Sequence, residues 1–221
     1  MSAPGGGVVV ASVNLGQPRE MGVAGKRRFS GIFKEPVAGA VAVNELGLAG
    51  DHVLDVKHHG GPGQAVYMYT LEDYAWWSVT LGRPLPPGEF GENLTISGLD
   101  IGALRVGDFL HFDNLSVQFT TPRRPCATLA ARMNDLAFVR RFREARRPGV
   151  YARVTRPGSV QAGQIGRLEP WPEEAPGILE RFDLAFEPPT TPEAVRRLLA
   201  APLDERSRAE YESLLAQLTG Q

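Results

Sequence analysis

The 221-residue chain has the length of one large domain, and its 43% hydrophobic and 22% charged residues are ordinary for a globular protein, which excludes general disorder. No apolar run approaches the roughly 20 residues of a membrane-spanning helix, so an integral membrane protein and a membrane partner are not expected. The formal net charge of −1 gives no reason to expect specific nucleic-acid binding.

Short apolar runs separated by turn residues dominate the first three quarters of the chain. In residues 64–69, Tyr67 and Tyr69 alternate with Val66 and Met68, which is typical of a strand with two usable faces. Predicted strands cover residues 8–13, 40–43, 64–69, 109–112, 115–121, 150–154 and 164–168. This regular spacing predicts a mainly β fold, an antiparallel β-barrel with short peripheral helices.

Helical patterns are short and lie mostly late in the chain. Residues 72–81 predict a helix with an aromatic buried side, and residues 129–147 predict a helix in two pieces, the second capped by Asp135. Near the end, Thr191 caps one predicted helix and a second begins at about Asp204.

These elements divide the chain into three parts. They are a barrel domain over residues 8–170, a proline-rich connector over residues 171–189 and a C-terminal helical hairpin over residues 190–219. The hairpin is expected to pack on the barrel or on a partner, and self-association as a homodimer is open.

Cys126 is the only cysteine, and it follows the predicted strand pair in the basic, proline-stiffened sequence of residues 120–126. Arg123 and Arg124 favour the thiolate, the form that acts as nucleophile or metal ligand. The alternative is a cysteine that only packs in the core. A single cysteine can form neither an internal disulfide nor an iron–sulfur cluster of its own, and residues 1–7 show no signal peptide, so a cytoplasmic protein is expected.

A second candidate region, residues 50–63, combines glycines with His58 and His59. Such glycines let the backbone approach a ligand, and the histidines supply hydrogen bonds or proton transfer. A ligand-binding loop and a hydrogen-bonded structural loop both remain open, whereas the spacing does not match a standard zinc site. The arginines of residues 140–147 suggest either an anionic ligand such as a phosphate or a solvated helix face.

Several short motifs, taken in order, resemble the MOSC domain family, which ends the eukaryotic molybdenum-cofactor sulfurases and also occurs as stand-alone bacterial proteins. The bacterial branch related to 6-N-hydroxylaminopurine resistance is the more similar, because a helical hairpin follows its barrel. The motifs are Gly-Asp at residues 50–51, Lys-His-His-Gly-Gly at 57–61, Phe-Gly-Glu-Asn-Leu at 90–94, Gly-Asp at 107–108 and Pro-Arg-Arg-Pro-Cys at 122–126.

The resemblance implies a β-barrel that binds molybdenum cofactor (molybdopterin) and acts as an oxidoreductase. The implied reaction converts R–NH–OH, two electrons and two protons into R–NH2 and water, with N-hydroxylated nucleobases or hydroxylamines as the small substrates. Because the chain has no flavin or nicotinamide fingerprint, an external flavoprotein or iron–sulfur reductase is the expected electron donor. Pyridoxal phosphate is not expected in this chain.

The resemblance also implies roles for particular residues. Cys126 would ligate molybdenum, and His59, with His58 as the alternative, would position substrate or supply a proton. The expected cofactor-binding residues are Lys34, Arg123 and Arg124 for the phosphate, and Asn93 with the amides of Gly60 and Gly61 for the pterin.

Three other classes of function remain open on the sequence. The first is a non-catalytic carrier of molybdenum cofactor or its sulfur. The second is a cofactor-free cysteine enzyme that pairs Cys126 with His58 or His59. The third is a phosphate- or nucleotide-binding barrel with an inert cysteine.

Overall fold

A computed structural model of the protein describes residues 7–55 and 59–220. Its strands are β1 (Val8–Gly16), β2 (Arg19–Val23), β3 (Lys26–Ser30), β4 (Lys34–Pro36), β5 (Val41–Asn44), β6 (Gly47–Leu48), β7 (Val66–Thr70), β8 (Leu94–Ser97), β9 (Phe109–His111), β10 (Ser116–Thr121), β11 (Val150–Arg156), β12 (Gly158–Val160) and β13 (Ile165–Glu169). Its α-helices are α1 (Leu71–Leu81), α2 (Ala127–Arg132), α3 (Phe138–Ala145), α4 (Ile178–Leu184), α5 (Pro192–Ala200) and α6 (Glu205–Thr219). None of the helices in the described part of the chain is both long and apolar enough to cross a membrane.

Seven strands close into a barrel in the order β13-β9-β10-β11-β7-β8-β1. The closing pair joins β1 to β13, with Val8 opposite Gly166. The predicted barrel is therefore confirmed, with one correction to its antiparallel character: β7 and β8 run parallel. A parallel pair needs a long crossover, and α1 lies in the connection between these two strands.

The alternation predicted for residues 64–69 separates two apolar cores. Val66 and Met68 belong to the core inside the barrel, whereas Tyr67 and Tyr69 belong to a second core on the outer face. The large aromatic members of this outer core are Tyr67, Tyr69, Tyr74, Trp77, Phe90, Phe138, Phe142, Tyr151 and Phe182. The predicted aromatic side of helix α1 is thus buried against the barrel.

The predicted two-piece helix is present as α2 and α3. Asn134 adopts a left-handed backbone conformation (φ 51°) between them. The Asp135 carboxylate accepts a 2.9 Å hydrogen bond from the Ala137 amide, but the N-cap of α3 is Ala137 and has no side-chain cap hydrogen bond, so the cap predicted at Asp135 was wrong. The arginines that follow are engaged with acids, as a solvated helix face requires. The pairs are Arg140–Glu144, Arg141–Asp135, Arg143–Glu187, Arg146–Asp183 and Arg147–Asp73.

The C-terminal hairpin forms from α5 and α6 and packs on the barrel. As predicted, Thr191 caps α5 through its hydroxyl, and the Asp204 carboxylate caps α6. Val195, Leu198 and Tyr211 join the same core as the barrel interior. The boundaries proposed for barrel and hairpin stay a prediction.

The connector contains an element that the sequence analysis did not predict. Helix α4 lies inside residues 171–189, and its Ile178 and Phe182 side chains are fully buried. The connector is therefore partly helical and contributes to the core instead of merely bridging two units.

Candidate functional site

A pocket at one side of the barrel brings together five of the residues predicted for the site, from separate parts of the chain. Its empty volume is about 760 Å³, including the space at its open mouth. The five residues are Lys34, His59, Asn93, Arg123 and Cys126. The tertiary structure thus gathers most of the predicted constellation into one cleft.

Cys126 immediately precedes helix α2 and is half-buried. Burial by itself raises the pKa of the thiol, but the hydrogen bond from His59, the positive charge of Arg123 and the amide of Leu129 outweigh burial and lower the pKa to about 6. The sulfur is therefore mainly thiolate at neutral pH, the form required of a metal ligand or nucleophile.

The cation that interacts directly with that thiolate is the buried guanidinium of Arg123. Its side chain is only 4% exposed, one guanidinium nitrogen donates to the Phe90 carbonyl at 2.9 Å, and the group lies 5.1 Å from the Tyr67 ring centroid. Burial lowers the pKa of Arg123, yet its interactions with Tyr151, Tyr67 and Cys126 raise the pKa overall. Its Nε finds no hydrogen-bond partner within the described ranges, so the guanidinium retains a donor for a ligand.

The Phe-Gly-Glu-Asn-Leu motif builds the wall behind Arg123. Gly91 lines the pocket with φ +77°, a conformation that glycine adopts without strain, and an added Cβ would lie 2.8 Å from Ile32. The motif therefore places the Phe90 carbonyl against Arg123 and leaves no room for a side chain at residue 91.

Lys34 and Asn93 converge on one buried carboxylate, Asp51. The Lys34 ammonium and the Asn93 amide both donate to Asp51 Oδ2, the latter at 2.8 Å, while Asp51 Oδ1 accepts from the Gly16 amide at 2.8 Å. Burial lowers the pKa of Lys34, and Asp51 opposes that shift. Both predicted cofactor-binding residues are thus already engaged, and each could contact a ligand only through its remaining N–H groups.

The structure places the other predicted residues differently. Arg124 turns away from the pocket and donates to both carboxylate oxygens of Glu210 on α6, at 3.2 and 2.6 Å. Gly60 and Gly61 do not line the pocket. His58 lies outside the described residues.

Other pocket residues were not predicted as site residues, among them Gln64, Tyr67 and Tyr151, and Asp51 was noted only within the 50–63 region and its Gly-Asp motif. Gln64 is notable because its buried Oε1 has no hydrogen-bond partner in the described part of the chain, which leaves an acceptor facing no protein donor. Tyr67 and Tyr151 pack against each other at the pocket wall, with ring centroids 4.7 Å apart and the rings tilted by 30°. The alternation of side chains along β7 and β11 was the only sequence signal that could have assigned these two tyrosines to the face that carries the pocket.

The donor set can be tested against the cofactor that the sequence analysis expects. Residues 7–55 and 59–220 contain no group of three or more histidine, cysteine or carboxylate side chains able to hold a metal ion. A metal bound through the Cys126 thiolate would need a cofactor to supply further ligands. The thiolate, the free Arg123 donor and the Gln64 acceptor fit a pterin-bound metal with an anionic group.

Comparisons with known proteins agree with this fold and motif set. The MOSC domain model matches residues 55–165. YflK of Bacillus subtilis is 35% identical over 205 residues, which cover 91% of this chain and 92% of that protein. A reductase of Gibberella moniliformis is 28% identical over 75% of this chain, although this chain covers only 30% of that protein.

Among solved structures, the crystal structure of YiiM from Geobacillus stearothermophilus superimposes with a TM-score of 0.77 at 25% identity, covering 95% of this chain and all of that one. The segment that the domain model matches, residues 55–165, includes the glycines at 60–63, the 90–94 motif and Cys126. On the match to the domain model and the similarity to YflK, the chain belongs to the MOSC domain family.

Proposed function

We propose that this protein binds molybdenum cofactor through Cys126 and reduces N-hydroxylated compounds to amines, with electrons from a separate reductase. The observation that carries the proposal is the half-buried Cys126 thiol, which lines the pocket beside Arg123 and His59 with a pKa of about 6. A soft thiolate suits molybdenum. The similarity to the Gibberella protein named a reductase supports the same reaction class.

Three contacts would hold the cofactor. Cys126 would supply the sulfur from the protein, the free Nε of Arg123 would meet an anionic group, and Gln64 Oε1 would accept from a pterin N–H. When bound, the cofactor would supply two-electron redox chemistry that side chains cannot perform.

The side chains would control protons and water. His59 contacts the sulfur and lines the pocket, so in this proposal its ring donates a proton to the oxygen that leaves R–NH–OH as water. The reaction consumes two electrons and two protons and yields R–NH2 and water. Tyr67 and Tyr151 would exclude bulk water from one wall.

The test begins with metal content. Wild-type protein from a host that makes molybdenum cofactor should contain about one molybdenum and one pterin per chain, whereas Cys126→Ala should remain folded by circular dichroism and contain neither. Arg124→Ala is the matched control, because Arg124 is adjacent in sequence yet faces Glu210, and it should keep the metal. Unchanged molybdenum in Cys126→Ala would contradict the assignment.

Turnover is then measured with 6-N-hydroxylaminopurine and reduced methyl viologen. Amine formation that depends on molybdate in the growth medium supports the reductase. Stoichiometric cofactor without amine formation from any donor would instead indicate a carrier.

The contact between Cys126 and His59 favours a second candidate, a cofactor-free cysteine nucleophile. Such an enzyme would stay active after growth without molybdate and would lose activity on treatment with iodoacetamide. The molybdenum-dependent enzyme would instead be inactive after growth without molybdate, so one growth experiment separates the two candidates.

A further inference from the structure

We propose that the exposed surface beside the pocket mouth is the docking site for an acidic redox protein that delivers electrons to the pocket. This inference rests on the proposed function. The surface, called the mouth surface below, consists of Lys26, Arg27, Arg28, Phe29, Val53 and Leu54.

The mouth surface is continuous with the pocket. Strands β2 and β3 form a hairpin in which Met21 and Val23 of β2 are buried in the outer core, while Lys26 to Phe29 on β3 are all exposed. Arg28 and Phe29 line the same pocket as Cys126, as do Val53 and Leu54 on the adjoining loop. A protein bound here would therefore lie over the opening that leads to the sulfur.

The charge of the mouth surface is concentrated and largely unneutralised. Lys26 and Arg28 make no ion pair with any described residue, and Arg27 meets only the exposed Glu20, at 3.4 Å. By contrast, the arginines of α3 are paired with acids. Three consecutive cations in a chain of net charge −1 favour a partner of opposite charge.

Apolar exposure points to a protein partner. Phe29 is 63% exposed, Leu54 44% and Val53 40%. Basic residues on an edge strand can serve merely to prevent aggregation, but that purpose is not served by an exposed phenylalanine on the same strand. Arginine next to exposed aromatic and aliphatic groups is instead typical of protein interfaces.

The chain also needs electrons from outside. One cysteine cannot hold an iron–sulfur cluster, and the pocket that contains Cys126 is open to solvent beside the mouth surface. An acidic iron–sulfur protein that docks on this surface would bring its redox group to the pocket entrance.

The test uses a charge reversal outside the pocket, Lys26→Glu/Arg27→Glu. The control is Arg167→Glu/Arg196→Glu, which changes the net charge equally at two exposed arginines that do not line the pocket. The probe is a plant-type [2Fe–2S] ferredoxin. Its binding is measured by isothermal titration calorimetry at about 10 mM and about 500 mM salt, and turnover is measured with reduced ferredoxin and with reduced methyl viologen.

We expect the Lys26→Glu/Arg27→Glu variant to lose at least about tenfold in ferredoxin kcat/KM and affinity at low salt, with a smaller difference at high salt. Its turnover with methyl viologen should be unchanged, and the control should match the wild type with both donors. Equal ferredoxin affinity in the two variants, or no binding to the wild type, would overturn the docking site. Absence of turnover with methyl viologen in the wild type would count against the proposed function, while the calorimetry would still decide the docking site.

Discussion

The acidity of Cys126 gives the sharpest test of the site, since it can be measured without cofactor. With a pKa of about 6, about 90% of the thiol is thiolate at pH 7, against a few per cent at the ordinary cysteine value. We therefore expect alkylation of cofactor-free protein by iodoacetamide to rise with pH to a plateau, half-maximal near pH 6. Mass spectrometry of quenched samples gives the rate at each pH.

The His59→Ala variant tests the cause of that acidity. Because the hydrogen bond from His59 is the largest influence that lowers the pKa of Cys126, its removal should move the midpoint to higher pH. A wild-type midpoint above pH 8, or a midpoint that His59→Ala leaves in place, would refute the proposed origin of the thiolate.

The same shift makes stability depend on pH. The folded-state pKa of Cys126 lies below the unfolded value, so the unfolded chain binds more protons between about pH 6 and 8.5 and stability from this group rises with pH there, by at most about 1.4 kcal/mol per pH unit. It is lost as the pH falls through the folded pKa. Urea unfolding of wild type and Cys126→Ser across this window should show the slope only in the wild type.

Three further single substitutions and one double variant test the surrounding structure. Asp51→Ala leaves the buried Lys34 ammonium without its carboxylate and should lower the free energy of unfolding by about 3–5 kcal/mol. The double variant Asp51→Ala/Lys34→Met should regain part of the lost stability. A double variant no more stable than Asp51→Ala would contradict this account. Phe142→Ala removes a fully buried ring from the outer core and should cost about 3–5 kcal/mol in urea unfolding, so a loss under 1 kcal/mol would argue against that packing. Glu210→Gln weakens a half-exposed pair with Arg124 and should cost no more than about 1 kcal/mol, with molybdenum content unchanged.

Local patterns were sufficient to predict most of the fold. Alternation in residues 64–69 predicted the two faces of β7, and Thr191 predicted the start of α5, which the structure confirms. The start of α3 was predicted too early, because the Asp135 carboxylate bonds to the Ala137 amide in the turn that precedes the helix. The parallel pairing of β7 with β8 was not predicted, because strand direction depends on how a distant connection packs. Helix α4 was missed because prolines dominate its neighbourhood, although they flank the helix and do not interrupt it.

For the candidate site, the sequence predicted which residues come together better than how each is oriented, and the roles of these residues stay a prediction. Cys126, Arg123 and His59 meet as the motifs suggest, whereas Arg124 faces α6. Side chains of adjacent residues in extended backbone point in opposite directions, so two neighbouring arginines seldom serve one pocket. The engagement of Lys34 and Asn93 by Asp51 depends on tertiary contacts that sequence spacing does not encode.

The pairing of β1 with β13 affects how the protein matures during synthesis. Val8 emerges from the ribosome long before its partner Gly166, so the first strand must wait with an unsatisfied edge for more than 150 residues of translation. Nascent chains stalled before residue 165 should therefore keep the barrel open between β1 and β9, with strand edges exposed that only the last barrel strand can pair.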